Sequence, residues 1–174
     1  HNMPRVDGRP QPPLSQIQVD GSEQTIEYVG KFLQAGIKPD ICWRAAGAGA
    51  TTWYPSDTWP YKGKDAWLNT GTWEIDRTKF PQGFRPFSDW AHSRGMGFVL
   101  WFEPERVAAG TQIAREHPEF VFGGTNGGLF KLNDPAARRW LTDLLSKRIT
   151  EFGLDVYRND FTIDPLDFWR RADL

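Results

Sequence analysis

The chain has 174 residues, 39% hydrophobic and 25% charged, which is the composition of one folded globular domain rather than of a disordered chain. Its 21 Lys and Arg against 22 Asp and Glu leave a net charge of −1, with no run of like charge to form a nucleic-acid or membrane-surface patch, so a neutral partner is expected. Cys42 is the single cysteine and there are three His, a set that excludes an internal disulfide and has no metal-ligand spacing; no metal or other cofactor is expected, and a reducing, cytoplasmic compartment is the default. No apolar stretch approaches the ~20 residues of a membrane span, and no cleavable signal pattern is seen. Because the chain opens at His1 rather than Met, a leader or further domains upstream are allowed for.

Residues 1–15 carry Pro4, Pro10, Pro12 and Pro13 and read as an extended lead-in rather than a strand. From there the chain repeats one unit of helix, glycine and strand three times. In the first copy Ser22 can cap a helix with Ile26, Val29, Phe32 and Leu33 on one face, Gly36 stops it, and a strand runs from Ile37 to Trp43. In the second, Phe84, Phe87, Trp90 and Ala91 form the stripe, Pro86 lies near the helix start, and Gly95 precedes the strand Gly97 to Phe102. That strand is almost wholly apolar, as one covered on both faces should be. In the third, Asp134 is a natural N-cap with Pro135 at the first helical position, and Trp140, Leu141, Leu144, Leu145, Ile149 and Phe152 form the stripe. Gly153 then turns into the strand Leu154 to Asp160. A last helix is expected after Pro165, with Phe168, Trp169 and Ala172 on one side.

Helix-to-strand links in this reading are about a residue or two, whereas strand-to-helix segments run to roughly 30 to 40, far above the usual few. In a (β/α)8 TIM barrel the loops leaving the strand C-termini build the active site and the opposite loops stay short. A doubly wound sheet also alternates strands and helices, but no glycine-rich phosphate fingerprint follows any strand. The expectation is therefore an α/β chain forming part of a (β/α)8 barrel, with residues 16–174 as the N-terminal part of a truncated catalytic domain. Only three of a barrel's strands are visible to this reading.

Two strands end in carboxylates, at Glu103-Pro104-Glu105 and at Tyr157-Arg158-Asn159-Asp160. Carboxylates at barrel-strand ends suit glycoside hydrolysis, where one attacks the sugar and the other shuttles a proton. Each also has a structural reading. Asp160 can pair with Arg158, Glu103 and Glu105 with Arg106, and Asp164 and Asp167 can cap loops. Trp101 can be core or sugar platform. The count of 9 Trp fits sugar stacking and core packing equally.

The ordered series Gly71-Thr72-Trp73-Glu74-Ile75-Asp76, Trp101-Phe102-Glu103-Pro104-Glu105-Arg106-Val107, His117-Pro118-Glu119, Leu132-Asn133-Asp134-Pro135 and Tyr157-Arg158-Asn159-Asp160-Phe161 resembles the melibiases, glycoside hydrolase family thirty-six. The resemblance runs from about Gln24 to Trp169 and implies retaining hydrolysis of terminal α-galactosides in oligosaccharides or glycosides, on a (β/α)8 domain flanked by β domains. It implies Asp160 as the nucleophile, Arg158 as a sugar contact and Trp101 as an aromatic wall of the galactose pocket. Glu103 and Glu105 would shape that pocket. Homo-oligomerisation of the full-length enzyme is allowed for, and no nucleic acid or membrane is expected as partner.

Three departures stand out. Ala45 and Ala48 replace the family's sugar-gripping aspartate and tryptophan after the first strand, so that Trp53, Tyr54 or Asp57 would have to take over, and Thr162 stands where asparagine is usual. No residue matches the family's acid/base aspartate, so this chain alone is expected to be inactive. The alternatives are an α-N-acetylgalactosaminidase or galactosyl transferase of the same superfamily, or a carbohydrate-binding pseudoenzyme.

Overall fold

The computed structural model describes residues 5–6, 8–10, 14–44, 53 and 69–173. Its centre is a four-stranded parallel sheet of β3 (Gln16–Gln18), β4 (Ile41–Arg44), β5 (Gly97–Phe102) and β8 (Val156–Asn159), in that order. Each new strand adds beside its predecessor on one advancing edge. A doubly wound sheet would reverse direction at a switch point, whereas this progression is the one that closes a barrel.

The helices alternate with these strands: α1 (Glu23–Gln34), α2 (Arg85–His92) and α4 (Pro135–Phe152), with α5 (Leu166–Ala172) after β8. α4 starts and stops as its sequence dictates. Asp134 Oδ1 accepts from the backbone N–H of Ala136 (2.7 Å) and Ala137 (3.4 Å), and Pro135 begins the helix, where its missing N–H costs nothing. Gly153 ends it at φ +65, the left-handed conformation a side chain resists. Ser22 does occupy the N-cap position of α1, but its hydroxyl donates to Asp20 Oδ1 (2.6 Å) and makes no cap bond.

Four expectations change. The lead-in contains a small antiparallel pair, β1 (Arg5–Val6) with β2 (Arg9–Pro10), made by backbone bonds that the prolines do not prevent. β3 is a fourth parallel strand, too short and too polar on either side of Ile17 to register as an apolar run. β4 begins at Ile41, not Ile37: Ile37 is 56% exposed, and Pro39 has no N–H to give to a ladder. The link 35–40 is correspondingly longer than expected, and it is tied down where Asp40 Oδ2 accepts from the N–H (2.8 Å) and hydroxyl (2.7 Å) of Ser15.

β5 is covered on both faces, as its sequence implies: Phe98, Leu100 and Phe102 are fully buried, Trp101 and Val99 nearly so. Strand alternation and the register put Trp43, Val99, Trp101, Val156 and Arg158 on one face. The other face carries Phe98, which meets Phe84 and Phe87 edge-on at ring separations of 5.7 and 5.3 Å. β8, at the edge, leaves Val156 39% exposed.

The long segment between β5 and α4 is ordered by its own pair, β6 (Arg106–Val107) against β7 (Gly128–Leu129), with α3 (Gln112–Glu116) between them. Arg148 of α4 anchors the preceding segment: its Nε donates to the Trp73 carbonyl (2.6 Å), and its guanidinium pairs with Glu151 (2.7 Å) and Glu74 (3.3 Å).

Candidate active site

The C-terminal ends of the parallel strands converge on one rim, and the residues that leave it carry most of the polar chemistry. β8 delivers Asp160, whose N–H closes the ladder on the Phe102 carbonyl at 2.8 Å. Both carboxylate oxygens are engaged. Oδ2 accepts from the Trp101 indole N–H at 2.8 Å and Oδ1 from the Phe161 backbone N–H at 2.9 Å. The Arg158 guanidinium lies 4.0 Å from Oδ2.

The Trp101 bond is the largest cause holding the Asp160 carboxyl below the usual carboxylate range. Partial burial opposes it, while the Phe161 N–H and the charges of Arg158 and Arg106 add to it. The result is an ionised carboxylate whose side chain remains 28% exposed.

Arg158, on the same face, is 44% exposed and lays its guanidinium over the Trp43 ring at 4.6 Å, reaching across β5 to β4. Trp43 thereby holds the cation in place without neutralising it.

The three other candidate site residues, Trp53, Trp101 and Glu103, are all buried. Trp53 has no exposed surface. Its ring packs against Trp73, Phe84, Phe102 and Phe152 at 5.2 to 6.3 Å, and its indole N–H donates to the Trp101 carbonyl (3.1 Å). It is a core residue. Trp101 is 2% exposed, so what it offers the site is its N–H on Asp160 rather than an open stacking face.

Glu103 is fully buried too, and its Oε1 accepts from Arg106 Nε (3.1 Å), the Thr162 N–H (2.7 Å) and the Thr162 hydroxyl (2.9 Å). The expected pairing with Arg106 is therefore present. Ala45, Ala48, Tyr54 and Asp57 lie outside the described residues.

Two further carboxylates lie at the rim, one shifted opposite to Asp160 and one in the same direction. Burial raises the pKa of Glu105, which sits beside Tyr157, whose hydroxyl is itself pushed up by burial and by that neighbouring charge. Glu105 helps line a cavity of about 160 Å³ with Phe122, Phe130, Asn133 and Trp169. Asp20, just past β3, is missed by the sequence reading because β3 is. Burial works to raise its pKa but is outweighed by bonds from Ser22 and Thr25, so the net shift is downward. With Arg44, Lys79 and Phe80 it lines a cleft of about 420 Å³. The Val19-Asp20 step before the Ser22 cap was the one available signal.

A rim of acids and aromatics on sequentially added parallel strands defines a catalytic-type (β/α)8 barrel segment, and known proteins carry the assignment further. The melibiase family model matches residues 38–132. An α-galactosidase of Pediococcus pentosaceus is 31% identical over 149 residues, covering 81% of this chain and 20% of that protein. The α-galactosidase structure from Lactobacillus brevis superposes with a TM-score of 0.65 at 23% identity, covering 86% of this chain and 20% of that one. A family thirty-six α-galactosidase variant of Geobacillus stearothermophilus, in complex with stachyose, gives 0.66 at 17% identity, with 88% and 22% covered.

The chain belongs to the melibiase family, and its α/β fold is part of a (β/α)8 barrel. It spans about a fifth of the length of the α-galactosidases just named.

Proposed function

We propose that this chain is the part of a retaining glycoside hydrolase that supplies its nucleophile, acting on terminal α-galactosides of oligosaccharides or simple glycosides. One observation carries the reading: Asp160, at the C-terminal end of β8, is ionised and held by a bond on each oxygen from Trp101 and Phe161 while remaining partly exposed. A retaining enzyme attacks the anomeric carbon with such a carboxylate. The glycosyl-enzyme ester forms as the C–O bond to the aglycone breaks, and water then hydrolyses it.

The aglycone oxygen leaves with a proton from a second carboxyl about 5 to 5.5 Å away. That acid then takes a proton from the attacking water, which restores both carboxyls. We assign the acid/base to sequence outside these 174 residues, consistent with the fifth of relatives' length spanned here. Arg158, exposed on the same face, contacts the sugar hydroxyls. Residues 16–174 belong to the catalytic domain and 1–15 lead into it. A cytoplasmic setting suits the single, buried thiol of Cys42. Among the described residues no helix is long and apolar enough to cross a membrane.

A second reading is an α-N-acetylgalactosaminidase, favoured by Ala45 where the family grips galactose with an aspartate. Both readings are decided by one assay. The full-length product is offered aryl α-galactoside and aryl α-N-acetylgalactosaminide, and product stereochemistry is followed by NMR. Release of α-galactose that disappears with Asp160→Ala supports the first. Preference for the N-acetylated sugar supports the second, and activity surviving Asp160→Ala overturns both.

A further inference from the structure

We propose that Glu103 is a positioning residue for Asp160, a buried side chain whose Oε1 fastens the turn carrying the nucleophile; the inference rests on the reading of Asp160 just given. The sheet stops supporting this turn at Asp160 itself, whose N–H makes the last bond of the ladder to Phe102. Beyond it, the support comes from the residue that follows Phe102 in the chain. Glu103 Oε1 accepts two bonds from Thr162, from its N–H at 2.7 Å and its hydroxyl at 2.9 Å. Arg106 closes the triangle, with Nε on the same Glu103 oxygen at 3.1 Å and Nη2 on the Thr162 hydroxyl at 2.7 Å.

Burial decides how firmly this holds. Glu103 is 0% exposed, so water does not compete for its carboxylate, and its charge-assisted bonds keep both strength and direction. Thr162 adjoins Phe161, and the Phe161 N–H is the donor on Asp160 Oδ1. Any slip of Thr162 therefore passes through one peptide to the group that orients the nucleophile. Trp101 holds the other oxygen from β5, the strand that Glu103 directly follows. Both oxygens of Asp160 are thus referred to the end of one strand, Oδ2 directly and Oδ1 through Thr162. Glu103 itself makes no bond to Asp160.

Three variants of the full-length product test the lock: Glu103→Met, which keeps side-chain length but has no comparable acceptor; Glu103→Gln, which keeps a carbonyl for Thr162; and Thr162→Val, which exchanges a hydroxyl for a methyl at an exposed residue. The readout is covalent labelling by an activated fluoro-galactoside, resolved into the maximal rate constant and the inhibitor's binding constant, beside a melting curve. Glu103→Met should lower the rate constant about 100-fold, the scale of an ångström of misplacement, with binding little changed. Glu103→Gln should recover most of that loss. Thr162→Val should lower the rate constant about tenfold with its melting temperature kept.

A merely structural Glu103 would lower the melting temperature and leave the folded fraction labelling at the wild-type rate; that result overturns the proposal. If Glu103→Met does not fold, Thr162→Val decides by itself, and an unchanged rate constant there also overturns it. Wild-type protein that takes no label removes the underlying reading of Asp160, and the lock with it. A labelled wild type with indifferent variants removes the lock alone.

Discussion

The indole N–H of Trp101 donates to Asp160 Oδ2 at 2.8 Å, joining two neighbouring parallel strands at the rim. Trp101 is paired in register with Arg158, two residues before Asp160, so its ring reaches diagonally up the same face to meet the carboxylate. This bond is the main reason that the Asp160 carboxyl titrates below the usual range.

A pH consequence follows from the sign of that shift. In the proposed reaction Asp160 attacks as a carboxylate, and the Trp101 bond extends its ionised range toward lower pH. Trp101→Phe, which removes the N–H and keeps the ring, should move the acid limb of the kcat/KM profile of the full-length product to higher pH. Activity at the optimum should fall by about 10-fold or more, the loss of a charged hydrogen bond of about 1.5–3 kcal/mol. Because the folded-state pKa is depressed, any associated stability is present above the ordinary Asp value of about 3.9 and is lost as pH drops through the folded value. An acid limb unmoved in Trp101→Phe would refute the assignment.

Trp53 should behave as core. Its ring is wholly buried and meets those of Trp73, Phe84, Phe102 and Phe152. Trp53→Ala should therefore destabilise the fold by about 3–5 kcal/mol in denaturant titrations, as large aromatic truncations do. A weakened KM with unchanged stability would restore its substrate role.

Asp134→Ala removes the acceptor for the first turn of α4. It should cost about 0.5–2 kcal/mol, read as a lower melting temperature. Asp134→Asn should cost much less, since the amide oxygen still accepts.

Gly153→Ala meets two obstacles. The residue sits at φ +65, and an added Cβ would stand 2.6 Å from Ser88 Oγ, whose hydroxyl donates to the Gly153 carbonyl. The loss should exceed about 1 kcal/mol, the scale of backbone strain alone. A neutral outcome in a melting experiment would show that Ser88 moves aside without penalty.

What was legible in the sequence was periodic or punctuated. Asp134, Pro135 and Gly153 marked the ends of α4 because capping is local chemistry, and β5 was plain because six consecutive residues avoid charge. β3 was hidden because its three residues carry a single apolar side chain, and with it Asp20 was lost from the rim. The start of β4 was misplaced because apolar Ile37 looks like a strand residue, whereas Pro39 is what delays the ladder. The placing of Asp160 and Arg158 at a strand end was readable from motif and apolar pattern. The roles of Trp53, Trp101 and Glu103 were not, because which face of a residue is covered depends on partners 48 to 59 positions away, such as Trp101 for Trp53 and Thr162 for Glu103. Motif membership names such residues without separating those that touch a ligand from those that hold up the residue that does.

The central claim is that Asp160 forms a covalent bond to the sugar. The direct measurement is mass spectrometry of the full-length product after reaction with an activated fluoro-galactoside, followed by digestion and peptide mapping. The account predicts a single glycosyl ester on Asp160, removed by slow hydrolysis and absent from Asp160→Ala. A label on another carboxylate, or steady hydrolysis with no trapped intermediate and inverted product, would contradict it.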